Sequence, residues 1–314
     1  MTRVAAIDCG TNSIRLLVAD IAEGGATLTD VVRRMEIVRL GQGVDSTGRL
    51  SSEAIERTRV ALADYTAQIR ALGAEQVRMV ATSATRDAAN AEEFRSMVLE
   101  TLGAAPEVVT GDEEARLSFT GAVRGLRADT PRPYLVVDIG GGSTEFVLGA
   151  TESGDFEPSA ATSVDIGCVR MTERYLRDDP PTAAQIDAAE AHITEVTDAA
   201  LAAVSGRDAR TLIGLAGSVT TVTALALGLD RYRPERIHHA RVSYAEVARV
   251  TGELLGMTHA QRLTLPVMHP GRADVIGAGA LVLRIVMDRA RIDSVVASEH
   301  DILDGIAYSV ASRT

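Results

Sequence analysis

The chain contains no lysine: all 32 of its basic residues are arginine. That absence removes the P-loop nucleotidases, whose motif ends in Gly-Lys-Ser/Thr, and with them protein kinases and every Schiff-base enzyme, since each depends on a lysine nitrogen. Any phosphate must therefore be gripped by backbone N–H groups, hydroxyls, arginine forks or a metal ion. Tryptophan is absent as well and aromatic residues make up only 3%, so a stacking platform for single-stranded nucleic acid is not expected. Two cysteines, Cys9 and Cys168, form neither a disulfide framework nor a metal-ligand spacing. No apolar run approaches the roughly 20 residues of a membrane span, and the start Met1-Thr2-Arg3-Val4 enters a strand without the pattern of a signal peptide. A cytoplasmic protein without membrane contacts is expected. The net charge of −11 opposes a general polyanion-binding surface, nucleic acid included, so that a polyanionic substrate would need a local arginine-lined cleft.

What is present is hydrophobic patterning over 314 residues, a length at which two domains are the natural division and a cleft between them becomes available as a site. The N-terminal part alternates strands (3–8, 14–20, an extended stretch at 28–40, 77–81, 108–109) with helices. The first helix is capped by Ser51 or Ser52 and stopped at Gly73, and a second lies near 90–102. Such alternation predicts a mostly parallel sheet. After Asp129-Thr130-Pro131-Arg132-Pro133 the pattern restarts. One offset of 130 residues aligns Val4 to Ser13 with Tyr134 to Ser143, each an apolar strand ending in Asp, a glycine turn to Ser, and a second apolar strand. An internal repeat of this kind predicts two homologous halves, 1–120 and 121–314, facing each other across the cleft. A third glycine element, Leu212 to Ser218, precedes an apolar helix, and 182–203 reads as an amphipathic helix.

The strand–Asp–x–Gly–x–x–Ser–strand pattern is a hairpin whose glycines let the backbone approach a ligand, so that successive N–H groups can cradle phosphate oxygens. The aspartate at each strand end, Asp8 and Asp138, could hold Mg²⁺ or its waters. A lone copy is as well read as an ordinary hairpin; two copies in register are not. The glycines precede a strand rather than a helix, which separates the pattern from dinucleotide-binding folds.

Together, Asp8-Cys9-Gly10-Thr11-Asn12-Ser13, Asp138-Ile139-Gly140-Gly141-Gly142-Ser143-Thr144-Glu145 and Gly214-Leu215-Ala216-Gly217-Ser218 resemble the two phosphate motifs and the adenosine-type motif of the actin/Hsp70/sugar-kinase superfamily. Two further stretches, Ala81 to Ala88 and Thr110 to Phe119, resemble signatures of the exopolyphosphatase / guanosine pentaphosphate phosphatase family. Gly167 to Arg170, Arg272-Ala273-Asp274 and Ser298-Glu299-His300 continue that resemblance more loosely. The resemblance implies an α/β protein of two actin-like, ribonuclease H-like domains flanking the active-site cleft. By the same resemblance Glu114 matches the catalytic glutamate with Glu113 as its neighbour, although Glu-Glu-Ala-Arg by itself reads as a solvated first helical turn. Asp138 and Glu145, with Asp8, are implied as ligands of Mg²⁺ or Mn²⁺. Thr11, Asn12, Ser13, Gly140, Gly141, Gly142, Ser143, Gly217 and Ser218 are implied in phosphate binding. Ser83 and Arg86 join them because a guanidinium forks onto phosphate. Arg15 is the weaker assignment because strand alternation can turn it away.

The implied reaction is release of terminal orthophosphate from inorganic polyphosphate, with guanosine pentaphosphate as the rival substrate. A small-molecule kinase and a nucleotide-sensing module are the alternatives on the same fold. Asp304 falls where the family's commoner pattern has arginine, which puts a substrate contact there in doubt. The helical C-terminal extension of longer members is not in the sequence, so short polyphosphates and distributive release are expected, and a homodimer is the assembly expected of a short member. Cys9 reads as a small apolar filler, and His238, His239, His259 and His269 as surface or helix-end residues with no ligand spacing.

Overall fold

The computed structural model describes residues 1–22, 27–150 and 156–312. Along the chain run β1 (Thr2–Cys9), β2 (Ser13–Ile21), β3 (Leu28–Ile37), α1 (Val44–Thr47), α2 (Ser52–Leu72), β4 (Gln76–Ala81), α3 (Ser83–Asp87), α4 (Ala91–Leu102), β5 (Glu107–Val108) and α5 (Gly111–Val123). The pattern then begins again with β6 (Tyr134–Ile139), β7 (Thr144–Gly149), β8 (Ala160–Val164), α6 (Cys168–Arg174), α7 (Ala183–Ala203), β9 (Thr211–Leu215) and α8 (Ala216–Ala226). It closes with α9 (Pro234–Ile237), β10 (Arg241–Ser243), α10 (Tyr244–Gly256), α11 (His259–Arg262), α12 (Ile276–Ala290), β11 (Ser294–Ala297) and α13 (Ile302–Ser312).

Two compact units result: Met1–Gly121 together with Ile302–Thr314, and Ala122–Asp301. The final helix therefore groups with the first unit rather than with the second, as a simple 121–314 division had it. The reason lies in β1. Its alternate residues Ala5, Ile7 and Cys9 enter one core with α2 and α4, whereas Val4 and Ala6 enter another with Leu117, Ile302, Leu303 and Ile306. A strand apolar on both faces needs a layer on each, and α13 with α5 provides the second. Asp304 is buried on α13 and receives both Nη atoms of Arg33 from β3, at 3.2 and 2.6 Å. The acidic residue at this position thus has a partner within its own unit.

The first sheet has the order β3-β2-β1-β4-β5 and the second β10-β11-β9-β6-β7-β8. Neither is mostly parallel. In each, a glycine-turn meander supplies antiparallel pairs (β1/β2/β3 and β6/β7/β8), and only the helix crossovers supply parallel ones (β1/β4/β5 and β6/β9/β11). Strands consecutive in the two meanders pair antiparallel and those separated by helices pair parallel, except β10 and β11, which pair antiparallel with α10, α11 and α12 between them. Removing β10 leaves the same strand order twice, as the sequence repeat predicts. Local signals also act as read: the Ser51 side chain caps α2 at Ala54 N (3.2 Å), Gly73 ends it at φ 69°, and Thr182 with Gln185 forms a capping box on α7.

Candidate active site

In the first unit, β1 ends at Asp8-Cys9 and the turn Gly10–Asn12 is closed by Gly10 N donating to Ser13 O at 2.9 Å. The carbonyl of Thr11 accepts from Gly41 N (2.8 Å) and that of Asn12 from Val38 N and Arg39 N (3.1 and 2.8 Å). The 38–41 segment thereby fixes the loop from behind, a role its sequence did not announce. Glycine suits position 41 because a Cβ there would overlap the Thr11 methyl and press on Ala84. Arg15 stands opposite Asp8 across β1/β2 and donates from Nε and Nη2 to its Oδ2 at 2.9 and 2.7 Å. Both residues of the expected phosphate and metal sets are thus engaged with each other. Burial, and then the adjacent Asp8 carboxylate, push the Cys9 thiol up, keeping it protonated and poorly suited as a nucleophile.

Thr82 N donates to Cys9 O (3.2 Å), so α3 starts beside the first hairpin and carries Ser83 and Arg86. The Ser83 hydroxyl is buried and has no hydrogen-bond partner among the described residues. Arg86 Nη1 donates to Val109 O at 2.9 Å and to Glu114 Oε2 at 3.2 Å. Glu114 is buried and held by that guanidinium, whereas Glu113 is half-exposed and bound to Arg78 Nη2 at 2.6 Å. Thr110 starts α5, its hydroxyl accepting from Glu113 N at 3.2 Å. Consecutive helical residues point about 100° apart. The two carboxylates therefore work in different surroundings. Glu114 faces Arg86, while Glu113 braces Arg78, which also holds Glu107 and Ser309.

In the second unit the turn after β6 repeats the closure, Gly140 N donating to Ser143 O at 3.0 Å. Here the loop carbonyls are taken by the start of α6: Cys168 N to Gly140 O (2.9 Å), Val169 N to Gly141 O (2.9 Å) and Gly167 N to Gly142 O (3.2 Å). Arg170 Nε adds a bond to Gly142 O at 2.8 Å. A Cβ on Gly167 would overlap the backbone of Gly141 and Gly142, so only glycine lets α6 dock. Gly167 and Arg170, faint in the sequence, are thus the supports of the second loop. Asp138 and Glu145 are both buried and directly opposed across β6/β7, and Glu145 Oε1 accepts from Ser163 Oγ at 2.7 Å.

β9 runs parallel to β6 with Leu215 beside Asp138, which brings Ala216-Gly217 to the same sheet end as the second loop. Ala216 adopts φ 67°, a left-handed conformation costly for a residue with a Cβ. Arg272 covers Gly217 and donates from Nη1 to Thr221 Oγ1 at 2.9 Å. Ser218, expected at phosphate, is buried with its side chain against Gly279 and beside Cys168. The histidines keep surface or helix-end positions: His269 is exposed, His259 opens α11 and His238 follows the end of α9. His238 stacks on His239 with centroids 3.7 Å apart and lies 4.5 Å from His300, which the spacing alone did not connect. Among the described residues no group of three or more His, Cys, Asp or Glu is arranged to hold a metal ion, and no helix is long and apolar enough to cross a membrane.

Two duplicated mixed sheets, each with a glycine hairpin at the strand ends, define an actin-like, ribonuclease H-like α/β protein. The chain belongs to the Ppx/GppA phosphatase family, whose profile matches residues 17–314. It is 53% identical over 322 residues to exopolyphosphatase 2 of Mycobacterium tuberculosis, covering 99% of both chains. The crystal structure of an exopolyphosphatase-like protein superposes with a TM-score of 0.95 at 45% identity, again over 99% of both chains. A guanosine-5'-triphosphate,3'-diphosphate pyrophosphatase of Photobacterium profundum is 30% identical across 98% of this chain and 59% of its own length.

Proposed function

We propose that the protein is an exopolyphosphatase that hydrolyses the terminal phosphoanhydride bond of inorganic polyphosphate with the help of a divalent cation. The observation that carries this reading is the Glu114–Arg86 pair, with Arg86 sharing α3 with Ser83, whose buried hydroxyl has no hydrogen-bond partner among the described residues. A buried hydroxyl without a partner costs free energy unless a ligand satisfies it, and a phosphate oxygen is the ligand that hydroxyl, guanidinium and loop amides all suit. Water attacks the terminal phosphorus, the P–O bond to the next phosphate breaks, and the water proton passes to the Glu114 carboxylate. Arg86 orients Glu114 and meets charge on the transferred group.

Asp138 and Glu145 fit Mg²⁺ or Mn²⁺, because Mg²⁺ sites of this class use one or two carboxylates and complete the shell with water and substrate phosphates. When bound, the ion neutralises phosphate charge. With the loop carbonyls of Gly140, Gly141 and Gly142 occupied by α6 and the Gly140 amide closing the turn, the amides of Gly141, Gly142 and Ser143 are the loop groups suited to face a phosphate. Arg272 and Gly217 add a cation and a close backbone approach at the same sheet end.

A second reading, hydrolysis of guanosine pentaphosphate, is favoured by the identity to the Photobacterium pyrophosphatase. The discriminating experiment measures orthophosphate release from short and long polyphosphate, guanosine pentaphosphate and ATP, each with Mg²⁺ and with Mn²⁺. The highest kcat/KM on polyphosphate is expected. Preference for guanosine pentaphosphate would install the second reading, and transfer to a sugar or acetate acceptor rather than to water would replace both. The net charge of −11 opposes retention of long polyanions, so partial digests of long chains should shorten as one population.

A further inference from the structure

The 130-residue offset that carries Asp8 onto Asp138 also carries Arg15 onto Glu145. Each pair is directly opposed across antiparallel strands, Asp8 with Arg15 and Asp138 with Glu145, and opposed residues stand on one face of a sheet. The duplicated backbone therefore presents the same two positions twice, with different charge. In the first hairpin the pair sums to zero and is closed by two guanidinium hydrogen bonds, of 2.9 and 2.7 Å, onto a carboxylate only 5% exposed. In the second it sums to minus two when both groups are ionised, the charge that one divalent ion balances. Arginine keeps its proton throughout the accessible pH range, so the first hairpin carries its cation permanently.

We infer that Arg15 is the built-in counter-ion of the first hairpin, standing where a divalent ion is held in the second, and that it confines metal binding to one hairpin per chain. The inference rests on the metal assignment at Asp138 and Glu145 proposed above, and it takes Asp8 out of the metal-binding set. Asp8 and Arg15 then form a fixed, neutral floor to the first phosphate loop, while the second loop's floor is completed from solution.

The test is a Mn²⁺ titration of the full chain, read by electron paramagnetic resonance as free against bound ion, with a parallel thermal melt to confirm folding. Wild type is expected to bind one ion, and Asp8→Asn to retain it with affinity changed less than about 3-fold. Glu145→Arg, which copies the first hairpin into the second, should lose it, and Glu145→Gln should weaken it by about 10-fold or more, in the range seen when groups supporting a metal are removed. Arg15→Glu, the reverse copy, should gain a second ion wherever it folds. Two ions in wild type with one lost in Asp8→Asn, or loss of the single ion in Asp8→Asn, would overturn the inference while leaving the second hairpin's metal in place. Unchanged binding in Glu145→Gln would instead remove the metal assignment and the inference with it.

Discussion

The two glycine hairpins are built alike and held alike, but by different neighbours. The first leans on the 38–41 segment that follows its own third strand, and the second on the start of α6. In both, later amides occupy the loop carbonyls and an i to i+3 bond closes the turn. They part at the strand ends, where one holds an arginine–carboxylate pair and the other two carboxylates. Duplication has kept what backbone geometry imposes and has let charge diverge. Backbone hydrogen bonds in a tight loop must all be satisfied, whereas a side chain at a strand end can change without moving the backbone.

The largest effect is expected at Glu114, a group of the first unit without a counterpart in the second. Glu114→Gln should lower kcat by roughly 10²-fold or more with the fold intact, because the amide keeps the shape and loses the base. Glu113→Gln should stay within about 3-fold of wild type, since a pair open to solvent on the glutamate side contributes only about 0–1 kcal/mol. Steady-state kinetics on both variants, with circular dichroism as the folding control, checks the contrast, and equal losses would erase the distinction drawn between the neighbours.

The loop supports should differ next. Gly167→Ala drives a methyl into the Gly141–Gly142 backbone, which cannot step aside, whereas Gly41→Ala meets the Thr11 side chain, which can rotate. Losses of about 1–3 kcal/mol for Gly167→Ala and about 1 kcal/mol or less for Gly41→Ala are expected from overpacking, measured by denaturant unfolding. A reversed order would show that the first loop is the more tightly held.

Asp138→Asn should raise the half-saturating Mg²⁺ concentration for turnover by about 10-fold, since an anionic oxygen is lost. A Mg²⁺ titration of activity reads it, and an unshifted curve would dissolve the charge contrast between the hairpins.

The smallest effect concerns His239. Burial, and then His300, lower its pKa from 6.5, so the unfolded chain binds a proton there more readily than the folded one. Stability should therefore fall as pH drops through about 6.5 toward the lower folded value. Asn, which tolerates the φ of 62° at this position, should flatten that acid limb in His239→Asn. Thermal melts from pH 7.5 to 5 compare the two, and identical slopes would discard the assignment.

Much of the site was legible because local chemistry announces itself locally. The repeat, the hairpin glycines, the acidic start of α5 and the caps at Ser51 and Thr182 each lie within a few consecutive residues. Gly167, Arg170, Gly41 and Arg272 were faint because their importance comes from what they touch, at separations from 28 to 51 residues for the bonds of Arg170 and Arg272. The likeness of Glu113 and Glu114 in sequence hid opposite surroundings, since only the packed helix decides which faces Arg86 and which faces Arg78.

Composition and short-range pattern were enough for the duplicated strand-turn-strand units, the exclusion of lysine chemistry and the residue types available to grip phosphate. Tertiary structure alone decided that α13 returns to the first unit, that Arg15 pairs with Asp8 and Arg33 with Asp304, and that Ser218 is buried. Each of those outcomes depends on which surfaces remain uncovered and which charges remain unbalanced once the sheets have formed, and neither condition exists in the unfolded chain.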